Sequence, residues 1–327
     1  MDTKIFVYNN TGAVLRLIIG DFEEMNTVRT LNEIQTCYVK LGEFAGRQFL
    51  QKRVTKTDLI FVNGVAYNLE RSNVVHPVAV FGFSSRFFVE LRLVQVTNIL
   101  NNRINKIVDE ESYMRNLQAL VTGLMFDNFI TPENEDRTDP RIRLGDLTTD
   151  DINREFALFK GKVFQILQKV ASYTRGEFRL EKDTVNNLLY LNHRKFRDLT
   201  NEPYFPILTK LLKLHIFEQT LIYPNVYIDE YDEFVGDAIS INRIEDLRPQ
   251  TQPLLIFDIL AEEQKGFFEY KKQFDLGDYF YYRIEYLNDS VSVQISKVEE
   301  IYARGVHSIH VTLSPLQEEG EDYATIY

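Results

Sequence analysis

One cysteine and no tryptophan occur in 327 residues, and each absence removes a class of explanation. With Cys37 alone there is no internal disulfide framework, and a thiolate zinc site would need several cysteines. Cys37 lies in Thr36-Cys37-Tyr38-Val39, a strand-like run, so its expected role is a small buried apolar side chain. No uninterrupted apolar run approaches the ~18 residues of a membrane span. Met1-Asp2-Thr3-Lys4-Ile5-Phe6 lacks the basic start and small-residue cleavage site of a secretory leader, so a soluble, cytoplasmically made chain is expected. No G-x-S-x-G, P-loop or G-x-G-x-x-G motif occurs. No cofactor and no metal are expected.

What is present is a folding pattern in three parts. The hydrophobic content of 44% suits a chain of two or three domains with a sizeable core. The expected class is α+β: an antiparallel β module over residues 1–100, a central helical module over 101–222, and a second antiparallel β module over 223–327. Period-two alternation marks strands at Ile5-Phe6-Val7-Tyr8, Ala13 to Ile19 and Phe87 to Val94. Asn63-Gly64 between Leu59-Ile60-Phe61-Val62 and Val65 to Leu69 predicts a type I′ hairpin. Asn10-Thr11-Gly12 predicts a turn between the first two strands, and a small barrel or sandwich is the expected closure.

From Arg103 the spacing of Ile104, Ile107, Val108, Met114, Leu117, Val121, Leu124 and Met125 predicts a long helix ending near Phe129. A polar loop, 131–147, follows. Ile152, Phe156, Phe159, Val163, Ile166, Val170 and Tyr173 alternate spacings of four and three, a heptad seam with Thr148 and Asp151 at its start. Further amphipathic stretches, Val185 to Tyr190 and Ile207 to Ile222, predict more helix. After Pro224, strands are expected at Leu254 to Leu260, Phe267 to Phe274, Tyr279 to Tyr286, Val291 to Ser296 and Val306 to Leu313. A turn is expected at Asn288-Asp289, and Gln294 is expected on a solvated face.

Charge is divided unevenly. Residues 160–215 carry eleven Lys/Arg against five Asp/Glu, and residues 225–327 carry eight against twenty-one. Opposite charge lets the two parts meet within one chain or between copies. The densest basic cluster, Arg194, Lys195 and Arg197 around Phe196, is expected to contact an acidic protein surface.

Asp258, followed by Glu269-Tyr270-Lys271, resembles the PD-(D/E)xK nuclease motif. That resemblance implies Mg²⁺ held by Asp258 and Glu269, with Lys271 acting on water. It requires Asp258 to face Glu269 across adjacent strands, and the acidic surroundings oppose a phosphate backbone. His307 and His310 fall on opposite faces of a strand and so cannot chelate one ion. His76, His193 and His215 read as structural, Phe81, Phe83 and Phe87-Phe88 as core, and Asp229 to Glu233 lacks a calcium-loop pattern.

The favoured expectation is a non-enzymatic assembly protein whose partners are protein subunits, not nucleic acid. Richness in Phe, Tyr, Ile and Asn without Trp fits an AT-rich genome, and with the architecture points to a phage or virus particle. The alternatives are the Mg²⁺-dependent nuclease and a glycan- or receptor-binding module presenting tyrosines from the last sheet.

Overall fold

Strand formation in the first hundred residues follows from the alternation of apolar and polar side chains. β3 (Glu24–Thr30) and β4 (Thr36–Leu41), which follow β1 (Ile5–Tyr8) and β2 (Leu15–Ile19), bury every second residue. The computed structural model describes residues 4–10, 12, 14–75, 87–105, 113–147, 153–156, 161–183, 188–200, 209–221, 226–228, 234–236, 250–262, 269–284, 289–303 and 305–316. Helix α1 (Glu43–Gln51) comes next, then β5 (Leu59–Val62), β6 (Val65–Val75) and β7 (Phe88–Gln95). The Asn63-Gly64 hairpin forms as expected, with φ of 49° and 80°, the positive pair a type I′ turn requires. The strands run β3-β4-β7-β6-β5-β1-β2, all antiparallel. Ile5, Val39, Leu41, Ile60 and Leu91 form a core that Ala45 and Phe49 of α1 help to fill.

No ladder closes the expected barrel among the described residues, because the outer edge of β3 is taken by a strand from the far end of the sequence.

The middle of the chain is less helical than its periodicity suggests. It holds β8 (Ile104–Asn105), β9 (Tyr113–Asn116), α2 (Leu117–Met125) with a π turn over Phe126–Ile130, and β10 (Ile142–Leu144). Then come β11 (Asn153–Phe156), β12 (Gly161–Lys162), α3 (Val163–Thr174), β13 (Gly176–Lys182) and β14 (Leu189–Lys195). Among the described residues the helix expected from Arg103 runs only from Leu117; Met114 lies in β9, and Ile107 and Val108 lie outside the described residues. Val121, Leu124, Met125 and Phe129 are buried as the stripe requires, whereas Ile104 is 60% exposed in an extended segment.

The heptad seam is likewise cut in half. Gly161 at φ 152° and extended Lys162 stop a helix from continuing through them, and α3 starts at Val163. Val163, Ile166 and Val170 are buried; Phe156 lies in β11, and Thr148, Asp151, Ile152 and Phe159 lie outside the described residues. Where further helix was expected, Leu189 and Tyr190 belong to β14, paired with β13, and residues 209–221 form a strand. Loop 131–147 carries a 3₁₀ turn (Glu135–Arg137) and β10, which pairs in parallel with β14. Leu167, Val170, Phe178 and Leu191 pack with Leu59, Phe61 and Val96 in a second core.

The remaining strands are β15 (Thr209–Leu221), β16 (Val226–Ile228), β17 (Phe234–Gly236), β18 (Gln250–Glu262), β19 (Tyr279–Ile284), β20 (Asp289–Ala303) and β21 (Val306–Pro315). β19 and β20 make the expected hairpin. One edge of β20 pairs with β19 over 289–294 and with β3 over 297–303, while its other edge carries β21, then β18 and β15. The first and last hundred residues therefore share one sheet.

Two local expectations fail. No strand covers 269–274, where Glu269 to Phe274 make a tight turn with Lys271 at φ 64° and Tyr270 and Phe274 turned into a third core. Gln294 is buried, because the turn before β19 lies over it and Gly277 O accepts from its Nε2 at 3.0 Å. The class is mixed α+β with mostly antiparallel sheets and few helices. Among the described residues no helix is long and apolar enough to cross a membrane.

The shortened helix is testable. Phe129→Ala deletes a fully buried ring and should cost about 3–5 kcal/mol, whereas Ile104→Ala should stay within about 0.5 kcal/mol, as measured by chemical denaturation. Equal losses would restore the long helix.

Candidate functional site

Three lengths of chain distant in sequence meet at a group of buried charges. Period-two alternation turns Met25, Thr27 and Arg29 of β3 to the same side, which carries a guanidinium to the base of the N-terminal sheet. From the middle of the chain, β13 supplies Glu177 and Arg179, and β14 supplies Arg194 directly opposite Glu177. From the last part, the turn before β19 supplies Tyr270, Asp275 and Asp278.

Asp275 is shared: Oδ1 accepts from Arg29 Nη1 at 2.8 Å and Oδ2 from Arg194 Nη1 at 2.8 Å. Glu177 Oε1 lies 2.9 Å from Arg194 Nε and 3.7 Å from Arg29 Nη2, and also meets Arg179 Nη2. Arg29 donates to the Tyr270 hydroxyl, and Arg194 to Leu276 O. Beside them, fully buried Asp278 accepts from Arg197 through the backbone N at 3.0 Å, Nε at 3.0 Å and Nη2 at 2.6 Å, and from Asp275 N at 2.8 Å. Gln273 O at 3.1 Å and Lys272 O at 3.3 Å take further bonds from Arg197.

Burial pushes the Glu177 carboxyl up to about 7, against the pull of Arg194 and Arg29. For Arg29, burial opposes the charge but is outweighed by Tyr270, Glu177 and Asp275, so the guanidinium is held above its usual range. Arginines that each bridge several buried acceptors fix geometry, and the arrangement ties the three lengths of chain together.

The three basic residues singled out in the sequence are separated by role. Arg194 and Arg197, expected to reach an acidic partner, instead meet Asp275 and Asp278 of their own chain, because β14 lies beside the turn that carries those acids. Lys195 lies exposed at the end of β14. Arg29, Glu177 and Asp275 were not singled out; the legible signal was a lone charge at the inward position of an alternating strand.

The strand pairing that the nuclease resemblance requires does not form among the described residues. Asp258 sits on β18 opposite Lys213 of β15, and the other neighbour of β18 is β21. Glu269 and Lys271 lie in the tight turn, where Glu269 is ion-paired with Lys272. His307 stacks on Tyr302 at 4.0 Å with Nε2 3.1 Å from Glu300 Oε1, while His310 is opposite Glu299. His193 is buried with Nε2 2.9 Å from Thr174 Oγ1. Cys37 is buried and its thiol is pushed up by burial. Of the tyrosines on β19, Tyr281 is exposed. His76, Phe81, Phe83 and Asp229 to Glu233 lie outside the described residues, and His215 falls in β15.

No protein-family model matches the chain, and no curated protein matches it. Solved structures do share its fold. The prophage tail protein gp18 from Listeria monocytogenes EGD-e superposes with a TM-score of 0.56 at 11% identity, over 97% of this chain and 95% of that one. A tail protein from Neisseria meningitidis MC58 gives 0.51 at 7% identity over 98% of both chains. The 43 kDa tail protein of prophage MuSo2 from Shewanella oneidensis gives 0.51 at 7% identity, over 96% of this chain and 97% of that one. At such identities the likeness is one of fold.

Two measurements test this arrangement. Arg197→Glu leaves the buried Asp278 carboxylate without its guanidinium partner and should cost on the order of 3–5 kcal/mol, read as a lowered denaturation midpoint. The second concerns pH. Folded Glu177 holds its proton up to about 7 against an ordinary value of 4.5, so between these limits the folded state binds more protons than the unfolded one. Its contribution is complete below the lower value and is lost as pH rises through the upper. The parent should therefore lose more melting temperature than Glu177→Gln between about pH 5 and about pH 8.

Proposed function

We propose that this chain is a structural subunit of a phage tail or baseplate, without a catalytic step of its own, whose partners are protein subunits of the same particle. The observation that carries the reading is the extent of the likeness. Three tail proteins from three bacterial species share the fold over nearly the whole of this chain and of their own, not over one common domain. The geometry supports it: the buried charges hold three parts of the chain to one another, as a load-transmitting subunit needs. The nuclease alternative is less well supported because Glu269 lies in a turn and not on a strand paired with the one that carries Asp258. The glycan-binding alternative has no more than Tyr281 in its favour among the described tyrosines of β19.

The test is the mass in solution, by light scattering, together with capture from a lysate of cells producing the particle. Self-association, recovery of tail proteins, or both is expected. A strict monomer that recovers no tail protein would end this reading.

A further inference from the structure

β2 ends the twelve-stranded sheet with an unguarded edge. It pairs with β1 alone, and its other edge has no strand partner among the described residues. Strand edges are ordinarily blunted by proline, by an outward charge or by a cover. Leu15-Arg16-Leu17-Ile18-Ile19 has no proline, and its one charge is turned away: Arg16 Nη1 donates to Asp58 Oδ2 at 2.5 Å and Nη2 to Lys52 O. Its side chains are not covered either, since Val14, Leu15 and Ile18 are 57%, 43% and 47% exposed.

Beside that edge lies an exposed basic loop. Residues 44–57 hold four basic residues and no acidic one, in a chain of net charge −11. Arg47 is taken by Glu43, while Lys52, Arg53 and Lys56 are exposed. Asp58, the next acid, is buried and matched by Arg16. β5 starts at Leu59 opposite Tyr8, itself opposite Leu15, so the loop lies at the Leu15 end of β2.

A segment of matching pattern follows Leu316, the last described residue. Glu318, Glu319, Glu321 and Asp322 carry four negative charges, and Tyr323-Ala324-Thr325-Ile326-Tyr327 comes directly after them. Tyrosine, threonine and isoleucine suit a strand on a half-buried sheet, and five residues equal the length of β2. We propose that residues 318–327 of a second copy dock here, the acids against Lys52, Arg53 and Lys56, and 323–327 added in parallel to the open edge of β2. Main-chain hydrogen bonds hold the added strand, Leu15 and Ile18 receive its side chains, and opposite charge sets its direction. Followed along the sheet, β2 stands eight strands from β21, about 38 Å, whereas residues 317–322 extend about 20 Å, which favours the tail of another copy. The inference rests on the reading of the chain as an assembling subunit.

The test uses full-length chains and two charge reversals. One is Lys52→Glu with Arg53→Glu and Lys56→Glu; the other is Glu318→Lys with Glu319→Lys, Glu321→Lys and Asp322→Lys. Hydrogen exchange of amides 15–19 reports the added strand, and sedimentation velocity reports copies held together. In the parent, dilution should speed exchange of these amides by roughly tenfold or more. Each reversal alone should leave them exchanging fast at every concentration, with an unchanged circular dichroism spectrum, and weaken self-association by about tenfold or more. An equimolar mixture of the two variants should restore both readings, because each loop then meets a tail of opposite sign. Protection restored only when both reversals are placed in one chain assigns the tail to its own β2 and overturns the proposal. Protection that survives the tail reversal overturns it as well, whatever the loop reversal does to folding. A monomeric parent that still recovers tail proteins from lysate also overturns it, while leaving the proposed function in place.

Discussion

Asp275 is where the molecule is tied together. Its two oxygens are taken by arginines that arrive from different directions, Arg29 on the sheet of the first hundred residues and Arg194 on the small sheet of the middle. Each of those arginines also reaches Glu177, so the contacts form a closed circuit. A buried circuit of this kind adds little net stability over an apolar replacement, but it tolerates few alternative arrangements. Asp278 and Arg197 repeat the logic one turn further on, with the carboxylate wholly buried and its ligands drawn from side chain and backbone alike.

That circuit matters because the apolar cores do not merge. One core lies inside the N-terminal sheet, a second joins the outer side of β5 and β6 to α2, α3 and the small middle sheet, and a third lies between β19, β20, β21 and the turn at Tyr270. Hydrophobic packing sets the interior of each and is indifferent to direction. The angles between them fall to directional contacts: the β3–β20 ladder and the charges around Asp275.

The sequence discloses local decisions and conceals distant ones. Asn63-Gly64 announces its hairpin because the positive φ angles are a property of those two residues. The later half of the heptad seam, from Val163, is helix, and Gly161 marks where the earlier half stops. By contrast, residues 207–222 space their leucines in a way that fits helix and strand alike. The arbiter is β18, some forty residues away and invisible to any local window. The same holds for the charges: the surplus of arginine in the middle and of acid at the end is plain in the composition. Nothing in it pairs Arg194 with Asp275, eighty-one positions later, or admits Arg29 to the same group.

The ladder between β3 and β20 also imposes an order on events during synthesis. Asn26 bonds to Glu299, 273 positions further along. At ~5–20 residues per second, β3 leaves the ribosome on the order of 15 to 55 s before its partner exists. Throughout that interval β3, already paired with β4 on one side, presents an open edge on the other, a template for any extended segment nearby, including the same strand of a sister chain on the same message. The late arrival of β20 therefore ends the interval in which that edge of β3 is open.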